Sequence, residues 1–366
     1  ASSSAASSSF CAELFGFPVE LFSWPKEAKE RWLQQSFKGA GPEGFGPDAL
    51  TAQSEISLAE EAAVICFFLG LLFAPMLLLA AAASAALAGR WSMLAGASLA
   101  AAVLAWHPFP NGPRSWLLRT RGARWFTSAL FKYFSFRVLW TAGGREAVMS
   151  GRPFLAFCPP HGVLPIAGLL AIPSINIFAR LDAFVGTAAS VVFRVPFLRY
   201  ITAWGTVKVD RDSIEAALRA GDAVGIVPDG IAGIFDVNNE DEIVTCLHRR
   251  GIARLALRTG TPVVPSYAIG NTDMMHAWFD RWGIMRSLSR YFRISLLLPV
   301  GRFGLPIPRR ANITMLTSVP IQVERRPHPT EEEVAALHER ILAEVRALFE
   351  AHKSALGWAN KRLVFV

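Results

Sequence analysis

Hydrophobic and polar positions along this 366-residue chain follow two different patterns. From Ala62 to Gly89 no charged residue occurs. Arg90 interrupts, and a second uncharged run then continues from Trp91 to Trp106. A helix needs about 20 apolar residues to cross a bilayer. The first run exceeds that length and the second falls short of it. The pattern predicts a membrane hairpin over residues 61–107, with Arg90 near its turn. It also fits a single long tilted span followed by a buried or re-entrant segment.

From about residue 150 the pattern shortens. "PFLAFCP", "AVGIVP", "PVVPSYAIG" and "NITMLTSVPIQV" are brief apolar runs bounded by Pro or Gly, the pattern of buried strands. Helical stretches lie between them. "DRDSIEAALRAG" has Asp caps and a Gly stop, and "HRRGIARLALRTG" sets an apolar side against arginines. The clearest helix is near the end. Thr330 and Glu333 form a capping box, and Val334, Leu337, Ile341, Val345 and Leu348 form its apolar stripe. This alternation predicts an α/β domain over residues 151–366.

Two stretches precede that domain. Residues 1–60 read as a loosely structured N-terminal region and linker. They include a Ser-rich start, either disordered or the remnant of a transit peptide, and the Gly/Pro segment "GAGPEGFGPDAL". Residues 108–150 interleave basic residues with Trp125, Phe126, Leu130, Phe131 and Phe134 at helical spacing. They fit a basic amphipathic helix in the headgroup layer, or a core helix of the domain.

Composition sharpens the membrane reading. Apolar residues make up 52% and charged residues only 18%, below the usual quarter. The net charge of +8 suits nucleic acid, an anionic membrane surface or a phosphorylated substrate. Long uncharged runs disfavour the first of these. Between His107 and Trp140 there are six basic residues and no acid, which places both ends of the hairpin in the cytosol. The four cysteines are far apart and show no metal-ligand spacing, which suits a reducing compartment.

One ionisable side chain stands out. In "FCPPHGVLPIAG", His161 follows a predicted buried strand and precedes Gly162, which allows close backbone approach. Strand ends followed by glycine turns are where α/β sheets place their sites. His161 reads as a proton-transferring base or as a structural histidine bonded to backbone. Cys158 reads as a thiol nucleophile or a buried strand cysteine. His338 and His352, on the terminal helix, read as solvated. No Walker loop, His-Glu-x-x-His or Gly-x-Ser-x-Gly elbow occurs at a suitable position.

After His161 come three further strand-end blocks: "WGTVKVDRDS" with Arg211, "GIVPDGIAG" with Asp229 and Gly230, and "RTGTPVVPSYAIGN". In this order they resemble the glycerol-phosphate acyltransferase superfamily. The longer segments "GRPFLAFCPPHGVLPIAGLLA", "SVVFRVPFLRYITAWGTVKVDRDS" and "RRGIARLALRTGTPVVPSYAIG" resemble its type 2 diacylglycerol acyltransferase branch, over roughly residues 60–366. The chain departs from that pattern at several positions. Pro159-Pro160-His161-Gly162 stands where the family has His-Pro-His-Gly. Ile166 stands where the superfamily has an aspartate. Asp229 and Gly233 stand where the branch has a glycine and a glutamate. Asn271 replaces a glutamate in the fourth block.

The resemblance implies a mixed sheet with flanking helices behind the membrane hairpin. It also implies acyl transfer from acyl-CoA to a lipid alcohol, with no metal or prosthetic group. His161 would be the base and Asp229 its acidic partner. Pro160, Gly162, Arg211, Gly230, Arg250 and Arg254 would contact substrate. Arg211 suits an acyl-CoA phosphate or an ion pair with Asp210, Asp212 or Glu215, and the set Arg249, Arg250, Arg254 and Arg258 suits the CoA phosphates or a solvated face. The expected product is triacylglycerol from diacylglycerol. Other acceptors stay open: monoacylglycerol, a wax or isoprenoid alcohol, or a lysophospholipid. So does a lipid-binding protein that has lost catalysis. The expected setting is the cytosolic face of the endoplasmic reticulum membrane or a lipid-droplet surface, with no nucleic-acid partner. Homo-oligomerisation is open.

Overall fold

The computed structural model describes residues 53–105, 120–141, 143–149, 153–176, 183–193, 202–235, 241–277, 282–292 and 299–366. Most of the predicted N-terminal region and linker, residues 106–107 of the predicted hairpin and residues 108–119 of the basic segment lie outside this set.

Helix α1 (Leu58–Leu87) starts at a Ser57–Glu60 capping box, and α2 (Trp91–Ala105) packs back on it across the turn at Ala88–Arg90. Among the described residues no single helix is long and apolar enough to cross a membrane. The limbs Leu58–Leu71 and Met76–Leu87, bent by 48°, have that length and composition only together. The two limbs differ in their surroundings. Val64, Phe68 and Leu71 are buried in the domain, whereas Met76, Leu77, Leu79 and Leu87 are exposed, as are Trp91, Met93 and Leu99 of α2. The first limb is tied down by ion pairs of Glu60 with Lys132 (2.6 Å) and of Glu61 with Arg302.

Helix α3 (Arg121–Tyr133) corrects the headgroup-layer expectation. Leu130, Phe131 and Tyr133 are fully buried because α1 covers them, so α3 is a core helix. Phe126 stacks on Trp204, and Phe68 meets Phe134 edge to face.

The domain continues through β1 (Arg137–Trp140), α4 (Gly144–Met149), β2 (Leu155–Phe157), α5 (Ile166–Ile175), β3 (Phe184–Ala188), β4 (Thr206–Lys208), α6 (Arg211–Arg219), β5 (Ala223–Ile226) and α7 (Gly230–Phe235). It ends with β6 (Asp241–Val244), α8 (Gly251–Thr259), β7 (Val263–Ile269), β8 (His276–Ala277), α9 (Ile284–Phe292), β9 (Pro299–Val300), β10 (Thr314–Thr317), α10 (Glu331–His352) and β11 (Arg362–Phe365). Seven strands form one sheet in the order β1-β10-β7-β2-β5-β3-β4. Only the β10–β7 pair is antiparallel. The mixed α/β class is therefore as expected, and all four predicted strands lie in this sheet.

Side chains alternate between two apolar layers. Leu155, Phe157, Val263 and Tyr267 face α8 and α10, while Ala156, Val264 and Ala268 face α1, α3 and α5. Burial on both faces explains why these strands read as continuous apolar runs. Helix α10 has the predicted capping box and buried stripe. It also corrects a prediction: His338 and His352 are buried, and each bonds to backbone carbonyls, His338 Nε2 to Cys246 and Leu247 and His352 Nδ1 to Leu348. Both positions adjoin the stripe; the carbonyls take one ring nitrogen of each, and His338 Nδ1 is buried without a partner among the described residues.

The chain end is held by a buried acid. β11 pairs with β6, and Glu242 of β6, 2% exposed, accepts from Tyr267 Oη (3.0 Å), Thr272 Oγ1 (2.9 Å) and Lys361 Nζ (3.1 Å). Burial pushes the Glu242 carboxyl above the usual carboxylate range, and Lys361 opposes that rise. Removing one partner of a buried pair typically costs about 3 kcal/mol. A raised folded pKa means that an unpaired Glu242 is tolerated when protonated and penalised as pH rises through that pKa. Lys361→Met should therefore destabilise the chain strongly at pH 8 and less at pH 5, read from denaturant midpoints of the full chain in detergent. An equal loss at both pH values would contradict this account.

Candidate active site

Sheet order brings the site together. β2 lies between β5 and β7, and all three run parallel. The segments leaving their C-terminal ends are therefore neighbours: Cys158–Pro165 after β2, Val227–Asp229 after β5 and Gly270–Asp273 after β7. His161 stands on the central one. The peptide before Pro160 is cis.

Neighbouring segments hold His161 by its backbone. Its N–H donates to Asp229 Oδ2 (2.7 Å). Its carbonyl accepts from Asn271 Nδ2 (2.9 Å), which also donates to the carbonyls of Pro160 (3.2 Å) and Leu164 (3.3 Å). Asn271 Oδ1 accepts from Ala167 N–H at the start of α5 (3.0 Å). Gly162 sits at φ +60°, and a Cβ there would lie 2.9 Å from Asn271 Nδ2, so only glycine fits.

The ring has its own anchor. Nδ1 is 2.8 Å from the Gly162 carbonyl oxygen. A carbonyl only accepts, so in the neutral ring Nδ1 carries the proton and Nε2 is the basic nitrogen. Nε2 has no protein partner among the described residues. Asp229 is fully buried, and burial pushes its carboxyl above the usual range against the lowering effect of His161. Its Oδ1 is buried without a partner.

His161 opens onto a cavity of about 810 Å³, within the range of sites that hold drug-sized ligands. The walls are mostly apolar. α5 contributes Leu169 and Ile172, α1 contributes Phe67, Phe68 and Leu71, and Trp204 closes another side. Arg211, Arg249, Arg254 and Arg258 also line it. They give an apolar space a cationic border.

Of the predicted site residues, the cavity wall includes His161, Arg211, Gly230 and Arg254. Pro160, Gly162 and Asp229 lie buried behind it, and Arg250 is half-buried at the start of α8, outside the wall. Asp229 meets the backbone of His161 and not its ring. Arg211 pairs with Glu215 (2.9 Å), and Arg254 grips Glu331 through two bonds (2.7 and 2.8 Å). Arg249 Nη1 donates to the Pro228 carbonyl (3.1 Å). The sequence offers Arg249 and Arg258, with Arg250 and Arg254, as phosphate ligands or a solvated face, and marks Asn271 only as a departure. The signal for Asn271 was its place directly after Gly270 at the end of a buried strand, matching the place of His161 after β2.

The sequence model of the family described as diacylglycerol acyltransferase matches residues 109–366. Diacylglycerol O-acyltransferase 1 of Eremothecium gossypii is 28% identical over 281 residues, covering 71% of this chain and 59% of that protein. The chain thus spans less than two thirds of the fungal relative. Diacylglycerol O-acyltransferase 2 of Xenopus laevis is 28% identical over 70% of this chain and 74% of its own length. Acyl-CoA wax alcohol acyltransferase 2 of Homo sapiens is 26% identical over 70% and 82%. Among solved structures, the 1-acyl-sn-glycerophosphate (LPA) acyltransferase of Thermotoga maritima aligns with a TM-score of 0.36 at 15% identity, over 64% of this chain and 84% of that one.

Cys158 lines the cavity, yet burial pushes its thiol up to about 12. A nucleophilic cysteine needs a thiolate, and this environment withholds one. Treatment of the folded chain with iodoacetamide at pH 8 should label exposed Cys66 and leave Cys158 intact until denaturation, as read by peptide mass spectrometry. Labelling of Cys158 at the rate of Cys66 would restore the thiol reading.

Proposed function

The chain belongs to the diacylglycerol acyltransferase family, and we propose that it transfers a fatty acyl group from acyl-CoA to the free hydroxyl of diacylglycerol. It is an O-acyltransferase. The observation that carries the finer reading is His161, its Nδ1 committed to a carbonyl, facing an apolar cavity bordered by arginines. Nε2 takes the proton of the acceptor hydroxyl as that oxygen attacks the thioester carbonyl. A C–O bond forms, the C–S bond breaks, and the proton passes to the departing CoA sulfur. Arg211, Arg249, Arg254 and Arg258 suit the CoA phosphates, and the apolar walls suit the acyl and acceptor chains.

A backbone donor for the oxyanion must come from elsewhere than His161, whose N–H is already committed to Asp229. Gly230, on the cavity wall, is the better placed of the two glycines expected near the substrate. The exposed apolar limb of α1 together with α2 supports attachment to a membrane, where both lipids reside. The basic residues that follow support a cytosolic domain on the endoplasmic reticulum.

Membranes bearing the chain, given labelled acyl-CoA and diacylglycerol, should form labelled triacylglycerol. His161→Ala should reduce turnover by about 10²–10⁴-fold. Monoacylglycerol and a long-chain alcohol belong in the same panel, because relatives named for wax alcohol and 2-acylglycerol acylation match about as well. Arg249→Ala with Arg258→Ala should raise KM for acyl-CoA but not for a short thioester lacking the nucleotide. No acylated product with any acceptor would sink this reading.

A further inference from the structure

We propose that Asp229 and Asn271 are positioning residues that grip the His161 peptide from both sides, and that residues 229 and 233 share a single slot for one carboxylate. The proposal rests on His161 being the base. Asp229 takes the peptide N–H and Asn271 the peptide C=O, from the ends of the two strands flanking β2. Neither hydrogen bond is to the imidazole. The clamp therefore sets where the ring stands, while the Gly162 carbonyl sets which nitrogen is basic.

The shared slot follows from Gly233. Its N–H lies 3.3 Å from the Asp229 carbonyl, so the two residues stand one helical turn apart. A Cβ at 233 would lie 2.1 Å from Asp229 Oδ2 and 2.8 Å from its Cγ. The space a side chain at 233 would enter is the space the Asp229 carboxylate occupies. A side chain at either position fills it, but two side chains do not fit. Glycine at 233 is the condition for aspartate at 229. Asp229 Oδ1 has no partner among the described residues, so its contact with the loop needs only one accepting oxygen. An amide oxygen supplies the same acceptor.

The test compares Asp229→Ala, Asp229→Asn, Gly233→Glu and the exchange Asp229→Gly/Gly233→Glu in the full membrane-bound chain. His161→Ala sets the baseline. Two readouts are taken: kcat and KM, and the rate at which diethyl pyrocarbonate modifies His161, followed by peptide mass spectrometry. Asp229→Ala should lower kcat about 10²-fold with KM unchanged, the cost of a reacting group displaced by about 1 Å. It should also change the modification rate. Asp229→Asn should recover most of kcat and the wild-type rate. The exchange should exceed both Asp229→Ala and Gly233→Glu in turnover. If Asp229→Ala does not fold, Asn271→Asp replaces it, because an ionised carboxylate cannot donate to the loop carbonyls.

Loss in Asp229→Asn equal to that in Asp229→Ala would show that charge matters and overturn positioning. Wild-type behaviour of Asp229→Ala in both readouts would overturn the clamp. An exchange no better than Gly233→Glu alone would overturn the shared slot. A wild-type chain that shows no turnover but keeps the modification pattern would sink the acyltransferase reading and leave the clamp standing.

Discussion

The arrangement depends on the parallel neighbours β5, β2 and β7 and on the buried amide of Asn271 that joins their ends. Asn271 is fully buried, and a buried amide is costly unless its donors and acceptor are met. Here they are: the amide nitrogen serves three carbonyls of the His161 loop and the oxygen takes the first turn of α5. The loop cannot shift without exposing several unsatisfied polar groups at once. This couples the His161 loop to the sheet core, where β7 is buried along its whole length. The same turn is fixed from behind. Thr272, next to Asn271, donates to Glu242, and Glu242 is held by Lys361 near the chain end. A C-terminal side chain therefore steadies the histidine loop through buried Glu242 and the Asn271–Thr272 turn.

The cavity follows from a second constraint, the burial of the first limb of α1. Without Phe67, Phe68 and Leu71, one wall of the cavity would open to solvent. The ion pairs of Glu60 and Glu61 dock that limb at its start, so the apolar helix that leaves the domain is also a wall of the site. Removal of water matters to the chemistry, because a fixed dipole or charge acts more strongly in a low-dielectric space. The arginines sit where this apolar space needs a polar border, and several are already oriented by Glu215, Glu331 or the Pro228 carbonyl.

Much of the fold was legible because burial leaves a period in the sequence. The strands at 155, 223, 263 and 314 and the helix at 331 carry strong apolar patterns bounded by Pro, Gly or capping residues. β3, β6 and β11 are no shorter than β2 but lack a bounded apolar run, and they pair with segments far away in the chain, which no local pattern records. The aromatic spacing of α3 was visible, but what covers that face is a tertiary fact, and α1 decided it. Arg249 and Arg250 are adjacent and equally basic. Only the turn into α8 puts the first on the cavity wall. His161 was legible as a lone ionisable group at a strand end. Its anchoring was not, because the contacts join residues 68 and 110 positions away. Taken one at a time, Asp229 and Gly233 read as two losses. In space they meet at one point, so a one-dimensional comparison counts twice what the structure counts once.

The absence of an acid at position 166 has a physical consequence. Ile166 is buried at the start of α5, and the ring instead finds the Gly162 carbonyl. A carbonyl and a carboxylate fix the same tautomer, but they differ when the ring becomes charged. A hydrogen bond to an ionised acceptor is roughly twice as strong as one to a neutral acceptor, so the carbonyl stabilises an imidazolium less. The rate must then come more from geometry and from the surroundings of the reacting atoms. That is where this chain concentrates its buried polar contacts. His161 is held at both its N–H and its C=O, the glycine after it has no room for a side chain, and the cavity it faces is mostly apolar.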